Sequence, residues 1–273
     1  MKTMTMIDEN SGRAIPRLIH QIWQGDELPP AWRETIDSLK QQNPNWVHRL
    51  YDEADVEALI QTHYGTDMLK SYRLLDPRYH AARSDFFRYL VVHALGGVYL
   101  DVKSGATRPL DDIIADEDQF LLSLWSPNSR PAEAGFGRHR DLKHIASGEY
   151  QQWHVIAAPE HPFLAAVINR VVHNIANVRW WQRNDGRMGV LRTTGPVAYT
   201  LAIDPIRERH PHRLITGNEE AGLRYNASTT PSSGRKGHYT VLKAPVVMRP
   251  WYRERIHEGV RLARETAKTI IPR

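Results

Sequence analysis

The chain has 273 residues, of which 41% are hydrophobic and 25% are charged, and it carries eight tryptophans. This apolar content is enough to build a core, so wholesale disorder is excluded. The absence of cysteine excludes a disulfide framework and a thiolate metal site. The net charge of +5 favours an anionic partner, and nucleic acid, a phosphorylated small molecule and an anionic membrane surface all fit it.

The amino-terminal stretch has no apolar region typical of a secretory signal, and no apolar run reaches the ~18 residues of a transmembrane helix. We therefore expect neither a secretory signal nor a transmembrane helix. The expected location is the cytoplasm, or the inner face of the membrane as a peripheral protein, and we expect a bacterial source.

The first quarter of the chain reads as alternating strands and helices. Residues 17–24 (RLIHQIWQ) have the pattern of a strand, and residues 31–43 form an amphipathic helix that ends before a proline. Residues 47–51 (VHRLY) are a second short strand. Residues 52–63 predict a helix that Asp52 caps.

The same alternation continues beyond residue 77. Residues 78–97 (RYHAARSDFFRYLVVHALGG) predict a long helix with one apolar side, ended by the double glycine. A helix at 161–175 begins with an early proline. Three strands are predicted, at residues 98–102, 119–125 and 153–159. The segments 183–189 and 226–237 are polar and glycine-rich, which is typical of loops.

Strands that alternate with helices predict an α/β fold with a mixed, mostly parallel central sheet. In such sheets, ligands bind in a crevice beyond the carboxyl ends of the strands. Trp23, Tyr51 and Asp101 each stand at the end of a predicted strand. We therefore expect these three side chains near one crevice.

The stretch SDFFR, followed by GGVYLDVKSG, is the part of the sequence that carries most of the chemistry. Asp85 and Arg88 are three residues apart, so they share one face of the predicted helix. Spacing alone favours an ordinary surface ion pair, and Asp101 alone could be a turn residue. The order of these elements is more informative than any one of them: an acid and a base on a helix, two glycines, an aromatic residue, then an acid at a strand end.

Residues 82–111 (ARSDFFRYLVVHALGGVYLDVKSGATRPLD) resemble the sugar-binding DXD region of family-32 glycosyltransferases, and they are also similar to the glucosylating clostridial toxins. The resemblance extends upstream to residues 15–25 and 43–55. It implies a single GT-A type domain over residues 1–273, with a donor-binding core at 15–161 and an acceptor or lid portion at 162–273.

The resemblance also implies roles for individual residues. Trp23 would stack on the base of a nucleotide-sugar, Asp85 and Arg88 would hold the sugar and neighbouring groups, and Asp101 would reach ribose or sugar hydroxyls and metal-bound water. Tyr99 would pack beside Asp101 or contact the donor. The implied donor-binding set is Trp23, Tyr51, Asp85, Arg88, Gly97, Tyr99 and Asp101, and the implied catalytic set is Asp85, Asp101 and Lys103.

Lys103 is a departure from the family pattern, which has a second acid at this position as a ligand of Mn²⁺ or Mg²⁺. An ammonium group offers no lone pair to a cation. The metal could still bind through Asp101 and His238, together with diphosphate oxygens and water. Alternatively, Lys103 stands against the diphosphate in its place, or it points away and Ser104 or a backbone amide faces the phosphates. We favour a retained but weak metal dependence.

The predicted function is therefore transfer of a hexose from a UDP- or GDP-sugar to a saccharide, glycolipid or similar hydroxyl acceptor, with retention of configuration. The alternative is a catalytically inactive nucleotide-sugar or glycan-binding subunit, which Lys103 supports. Nucleic acid is not an expected partner, because the basic residues are scattered. The basic segment 249–268 predicts a helix packed on the domain or, as the alternative, a contact with a membrane surface.

Overall fold

The predicted alternation of strands and helices is present in the computed structural model, which describes residues 12–25, 27–126, 137–178, 184–217, 221–227 and 239–248. His238 and the basic segment 249–268 lie outside the described residues. The predictions made for them therefore stay predictions.

A six-stranded sheet forms the centre of the fold, with the strand order β2-β1-β3-β6-β5-β7. Five strands run in the same direction and β6 runs against both of its neighbours. The prediction of a mixed, mostly parallel sheet is confirmed. The strands are β1 (Leu18–Ile22), β2 (Val47–Tyr51), β3 (Gly97–Leu100), β5 (Phe120–Leu124), β6 (His154–Ala157) and β7 (Arg213–Thr216). Two short strands, β4 (Gly105–Ala106) and β8 (Leu223–Arg224), pair beside this sheet.

The described helices are α1 (Pro30–Gln42), α2 (Glu53–Arg73), α3 (His80–Leu95), α4 (Pro162–Ala176), α5 (Gly186–Thr193) and α6 (Pro196–Ile203). Asp52 caps α2 as predicted, since its carboxylate accepts from the backbone N–H of Asp55 at 2.9 Å. This helix continues past its predicted end at residue 63, through an interruption at Gly65. The segment 183–189 is not simply a loop, because α5 begins at Gly186. In the described part of the chain, none of the helices combines the length and apolarity that crossing a membrane requires.

Helix α3 is buried on every side instead of presenting one apolar face. It packs against α2, α4 and the strands β1, β3 and β6. Its aromatic and aliphatic residues surround the helix axis, and a helix with that pattern belongs in the interior of a protein. Asp85 and Arg88, which lie in the buried middle of this helix, are therefore in the protein interior.

The double glycine, which has no side chains, allows the end of α3 and the start of β3 to pack closely against their neighbours. Gly96 has φ +66° and ends α3, as predicted. Gly97 has φ +97°, and a Cβ placed there would lie 2.6 Å from the backbone oxygen of Leu18 on β1. Gly97 therefore allows β3 to pair with β1. This placement corrects the expectation that Gly97 contacts a donor.

Candidate functional site

A cavity of about 710 Å³ opens beyond the carboxyl ends of β1 and β3. Its volume lies within the range of ~300–1,000 Å³ that is typical of small-molecule sites. Of the predicted site residues, the structure brings six to its wall: Trp23, Asp85, Arg88, Tyr99, Asp101 and Lys103. Two of the three strand-end residues expected near one crevice, Trp23 and Asp101, therefore line the same cavity.

One face of α3 forms a wall of the cavity. Ala81, Ser84, Asp85 and Arg88 all line it. Their spacing of three and four residues places them on the same face of a helix. This face carries the polar side chains that a ligand in the cavity would meet.

Asp85 and Arg88 form a buried ion pair, so the interpretation as an ordinary surface pair is wrong. Asp85 is 4% exposed and Arg88 is 3% exposed. Nη2 of Arg88 lies 3.0 Å from Oδ1 of Asp85 and also 3.0 Å from Oδ1 of Asp101. The hydroxyl of Tyr99 donates to the same Asp101 oxygen at 3.2 Å. One guanidinium group thus joins two carboxylates at the edge of the cavity.

Two further residues, which the sequence did not assign to the site, complete this network. Nε2 of Gln152 donates to Oδ1 of Asp85 at 3.1 Å, and the hydroxyl of Thr194 donates to Oδ2 at 3.2 Å. The side-chain and backbone oxygens of Gln152 both accept from Nη1 of Arg88. Every oxygen of the Asp85 carboxylate therefore has a partner, which is what a buried carboxylate requires.

The position of Gln152 follows from the direction of β6. This residue precedes β6, and β6 runs against the other strands, so its start lies at the edge where those strands end. Thr194 belongs to the sequence TTGP at residues 193–196, where Gly195 is the N-cap residue of α6. TTGP could have suggested Thr194, but nothing in the sequence indicated the reversed strand that positions Gln152.

Burial and charge shift the protonation equilibria of this network. Burial raises the pKa of Asp85 from 3.8 to about 6, although Arg88 opposes the shift. Burial on its own would lower the pKa of Arg88, but the carboxylate of Asp101 and the other nearby groups raise it above its ordinary value. Arg88 is therefore a permanent positive charge, whereas Asp85 gains or loses a proton near pH 6.

Trp23 lies on the cavity wall, where its ring meets that of Trp32 edge to face at a centroid distance of 5.1 Å. Tyr51 does not lie beside it. Tyr51 is 6% exposed in the core, where its hydroxyl is 3.0 Å from Nδ1 of His20 and its ring packs on Phe87. This contact corrects the expectation that Tyr51 binds a donor: it ends a strand next to the crevice, but its side chain points into the core.

Lys103 faces the cavity rather than pointing away from it. Its Nζ lies 5.7 Å from the centre of the Tyr225 ring. The pairing of β4 with β8 and a hydrogen bond of 2.7 Å from Ala227 N to Lys103 O hold the two segments together. Ser104 is fully buried. The structure therefore leaves Lys103, and not Ser104, as the side chain at the position of the missing acid.

The described residues supply only part of a divalent metal site. Among them, no group of three or more His, Cys, Asp or Glu side chains is arranged to hold a cation. Oδ1 of Asp101 accepts hydrogen bonds from Arg88 and Tyr99. Its other oxygen would have to be joined by phosphate and water oxygens, because Mg²⁺ and Ca²⁺ need about six or more oxygen ligands. The second expected ligand, His238, lies outside the described part of the chain.

Comparison with known proteins identifies the class of this fold and site. Residues 29–120 match the family model of the glycosyltransferase sugar-binding region containing DXD motif. The fold is similar to that of the UDP-bound glycosyltransferase domain from the YGT toxin, with a TM-score of 0.54 over 80% of this chain and 82% of that chain at 8% identity. The fold is thus of the GT-A type, and residues 29–120 are similar to the sugar-binding region of these glycosyltransferases.

Two curated relatives are mannosyltransferases of a fungus. Inositol phosphoceramide mannosyltransferase 3 of Schizosaccharomyces pombe is 32% identical over 195 residues, which is 71% of this chain and 46% of the relative. Inositol phosphoceramide mannosyltransferase 1 of the same yeast is 27% identical over 167 residues, which is 59% of this chain and 43% of the relative. The chain therefore spans less than half the length of these two relatives.

Proposed function

We propose that the chain transfers a hexose from a nucleoside diphosphate-sugar to a hydroxyl group of a saccharide or glycolipid acceptor, with retention of configuration. The single observation that carries this proposal is the Asp85–Arg88–Asp101 network on the wall of the cavity, within the family's sugar-binding region. The names of the fungal relatives favour mannose as the transferred sugar. The UDP bound in the similar toxin domain supports a nucleoside diphosphate donor.

The wall of the cavity offers a suitable group for each part of such a donor. The ring of Trp23 presents an aromatic face to a base, and base stacking on aromatic side chains contributes ~1–3 kcal/mol. Asp101 has one oxygen that is not engaged by Arg88 or Tyr99 and can accept from a sugar or ribose hydroxyl. The network behind it holds this carboxylate in a fixed position.

Lys103 would supply the positive charge that the diphosphate requires. In the transfer step, the bond between the anomeric carbon and the phosphate oxygen breaks, and its electron pair remains on the diphosphate. The acceptor oxygen bonds to the anomeric carbon on the same face, and its proton passes to the departing phosphate oxygen. A fixed positive charge near that oxygen stabilises the charge that develops there. The fit to a divalent cation is incomplete, so we derive no step through a metal and propose a weak metal dependence.

A catalytically silent binding subunit is the less favoured function. The observation that supported an inactive subunit was the presence of Lys103 where an acid is expected. Arg88 nevertheless keeps buried ion pairs with both Asp85 and Asp101 at the cavity, which favours the catalytic function. The carboxy-terminal portion also contributes to this network through Thr194. We propose that residues 15–161 hold the donor and that residues 162–273 complete the site.

The direct test is release of a nucleoside diphosphate from UDP- and GDP-linked mannose, glucose, galactose and N-acetylglucosamine, with Mn²⁺ and with a chelator. We expect release from one of these donors, and loss of that release in Asp101→Ala. Glu57→Gln, in an exposed ion pair on α2, is the matched control and should retain full activity. No release from any donor would refute the proposed function.

A further inference from the structure

A second group of polar and aromatic side chains lines the same cavity and has no part in the steps described above. It consists of Trp125, His139 and Glu149. Nε1 of Trp125 donates to Oε1 of Glu149 at 2.8 Å, and Nε2 of His139 contacts Oε2 of the same carboxylate. Glu149 is only 6% exposed. A carboxylate is thus held on the cavity wall by two partners, one at each oxygen.

The local backbone is built to hold these three residues together. Trp125 follows the end of β5, and a bridge between Leu124 and Tyr150 places Glu149 next to it. Gly137 has φ +79°, and a Cβ there would lie 2.7 Å from Cδ1 of Trp125. The backbone N–H of Glu149 donates to the oxygen of Gly137 at 3.2 Å. The segment that carries His139 and Glu149 is therefore fitted against the ring of Trp125.

Tyr225 connects this group to the part of the cavity assigned to the donor. Its ring lies 5.8 Å from that of Trp125 and 5.7 Å from Nζ of Lys103. The two parts of the cavity are therefore neighbours, but their side chains differ. In the donor part the cations Lys103 and Arg88 lie with Asp85 and Asp101, whereas the other part has Glu149 bonded to Trp125 and His139. A diphosphate requires cations or N–H donors, whereas the hydroxyls of a neutral polyol can donate to a carboxylate.

The chemistry of the group is that of a saccharide site. An ionised carboxylate has about four lone-pair positions, so Glu149 can accept from a hydroxyl in addition to its two present partners. An indole ring offers a large rigid apolar face against which the C–H face of a sugar ring can pack. Burial of a carboxylate is costly unless it is paired, so a group that served packing alone would be better built from apolar residues.

We propose that Trp125, His139 and Glu149 form the acceptor subsite, and that the acceptor bound there is an uncharged saccharide unit. Glu149 accepts a hydrogen bond from an acceptor hydroxyl, Trp125 packs against the sugar, and His139 holds the carboxylate in place. This inference rests on the proposed function, because it needs a donor in the neighbouring part of the cavity.

The test compares the KM for the acceptor with the KM for the donor. Donor hydrolysis by the wild-type chain is measured first, without any acceptor. Transfer is then measured to methyl α-mannoside, methyl α-glucoside, methyl β-galactoside and mannobiose. In Glu149→Gln, the acceptor KM should rise about tenfold or more, as expected for loss of a charge-assisted hydrogen bond, and should rise more than the donor KM. Glu57→Gln should leave both values unchanged.

Trp125→Phe is a second variant, which keeps an aromatic ring and removes the N–H that donates to Glu149. It replaces Glu149→Gln in the test if that variant does not fold. It too should raise the acceptor KM more than the donor KM. Equal rises of both constants, or an unchanged acceptor KM in both variants, would overturn the proposal. So would donor hydrolysis without transfer to any of the four saccharides. Absence of donor hydrolysis in the wild type is a different result, because it refutes the proposed function itself and this inference with it.

Discussion

Nη2 of Arg88 donates to Oδ1 of Asp101 at 3.0 Å across the boundary between α3 and the end of β3. The two residues are 13 positions apart in the sequence, and the helix end at Gly96 and the strand β3 separate them. Because the same nitrogen lies 3.0 Å from Asp85, the geometry of the first acid of the DXD-like motif depends on a buried helix. This relationship explains why a sequence motif on a loop can hold a fixed shape.

Removal of the Asp101 carboxylate should abolish donor turnover and leave the fold intact. Asp101→Ala removes a carboxylate that lines the cavity, including the oxygen that Arg88 and Tyr99 do not engage, whereas Arg88 keeps its pair with Asp85. We expect a loss of at least about 10²-fold in kcat, the size found for preorganised groups at a reaction centre. The circular dichroism spectrum should be unchanged. Asp67→Ala, at an exposed position on α2, is the control, and full activity in Asp101→Ala would contradict the site assignment.

Removal of the Arg88 charge should destabilise the fold severely. Arg88→Met leaves the carboxylate of Asp85 buried without its cation, and breaking a buried pair in this way costs ~3–5 kcal/mol. Urea unfolding measures the effect. The matched control is Arg73→Met, which breaks an exposed pair with Glu57 and should cost no more than ~1 kcal/mol. A similar small cost in both variants would show that Arg88 does not hold the network together.

Asp85 should give the protein a specific dependence of stability on pH. Its pKa of about 6 in the folded state lies above the ordinary value of 3.8, so the folded protein binds this proton more tightly than the unfolded chain does. The free energy of unfolding should therefore fall as the pH rises from about 4 to about 6, and this contribution should not change above that range. The change is on the order of 2–3 kcal/mol.

The difference between wild type and Asp85→Asn isolates this contribution, since all other titrating groups are shared. Urea unfolding of both proteins at several pH values between 4 and 7 provides the measurement. The wild-type curve should lose stability relative to the variant over the range from 4 to 6. Parallel curves would show that the pKa of Asp85 is not raised.

We expect Lys103 to supply positive charge at the diphosphate of the donor. We expect Lys103→Met to reduce donor turnover about 10–10²-fold in the presence of a chelator, because a charge at the leaving group is lost. Lys103→Asp should make turnover depend on Mn²⁺, since it restores a carboxylate two positions after Asp101. Lys70→Met, at an exposed position, is the control. Turnover that a chelator abolishes in the wild type, and that Lys103→Met does not change, would contradict this role.

Much of the fold was accessible from the sequence because local patterns determined it. The helix cap at Asp52 and the glycine at the end of α3 are chemical features of single residues, and both occur where they were predicted. The burial of α3 on every side was not predicted, because the spacing of Asp85 and Arg88 alone is also that of a surface ion pair. Only the packing of α2, α4 and the sheet around the helix decides between the two.

Residues of the cavity wall were predicted where one motif carries them and missed where distant segments meet. Asp101 and Lys103 follow β3 directly, so their place at the cavity follows from the strand. Gln152 comes to the same place only because β6 is reversed, and Glu149 only because its loop folds onto Trp125. Tyr51 was misplaced because a strand end fixes the position of the backbone but not the direction in which the side chain points.

The most direct test of the central claim is thermal stability in the presence of uridine, guanosine, adenosine and cytidine diphosphates and their sugar conjugates, each with and without Mn²⁺. A ligand present at 100 times its Kd adds about 2.7 kcal/mol to the free energy of unfolding, which is a clear increase in Tm. We predict that one nucleotide stabilises the wild-type chain, that it does so without Mn²⁺, and that it stabilises Trp23→Ala much less. If no nucleotide changes the Tm, with or without Mn²⁺, the cavity is not a nucleotide-sugar site.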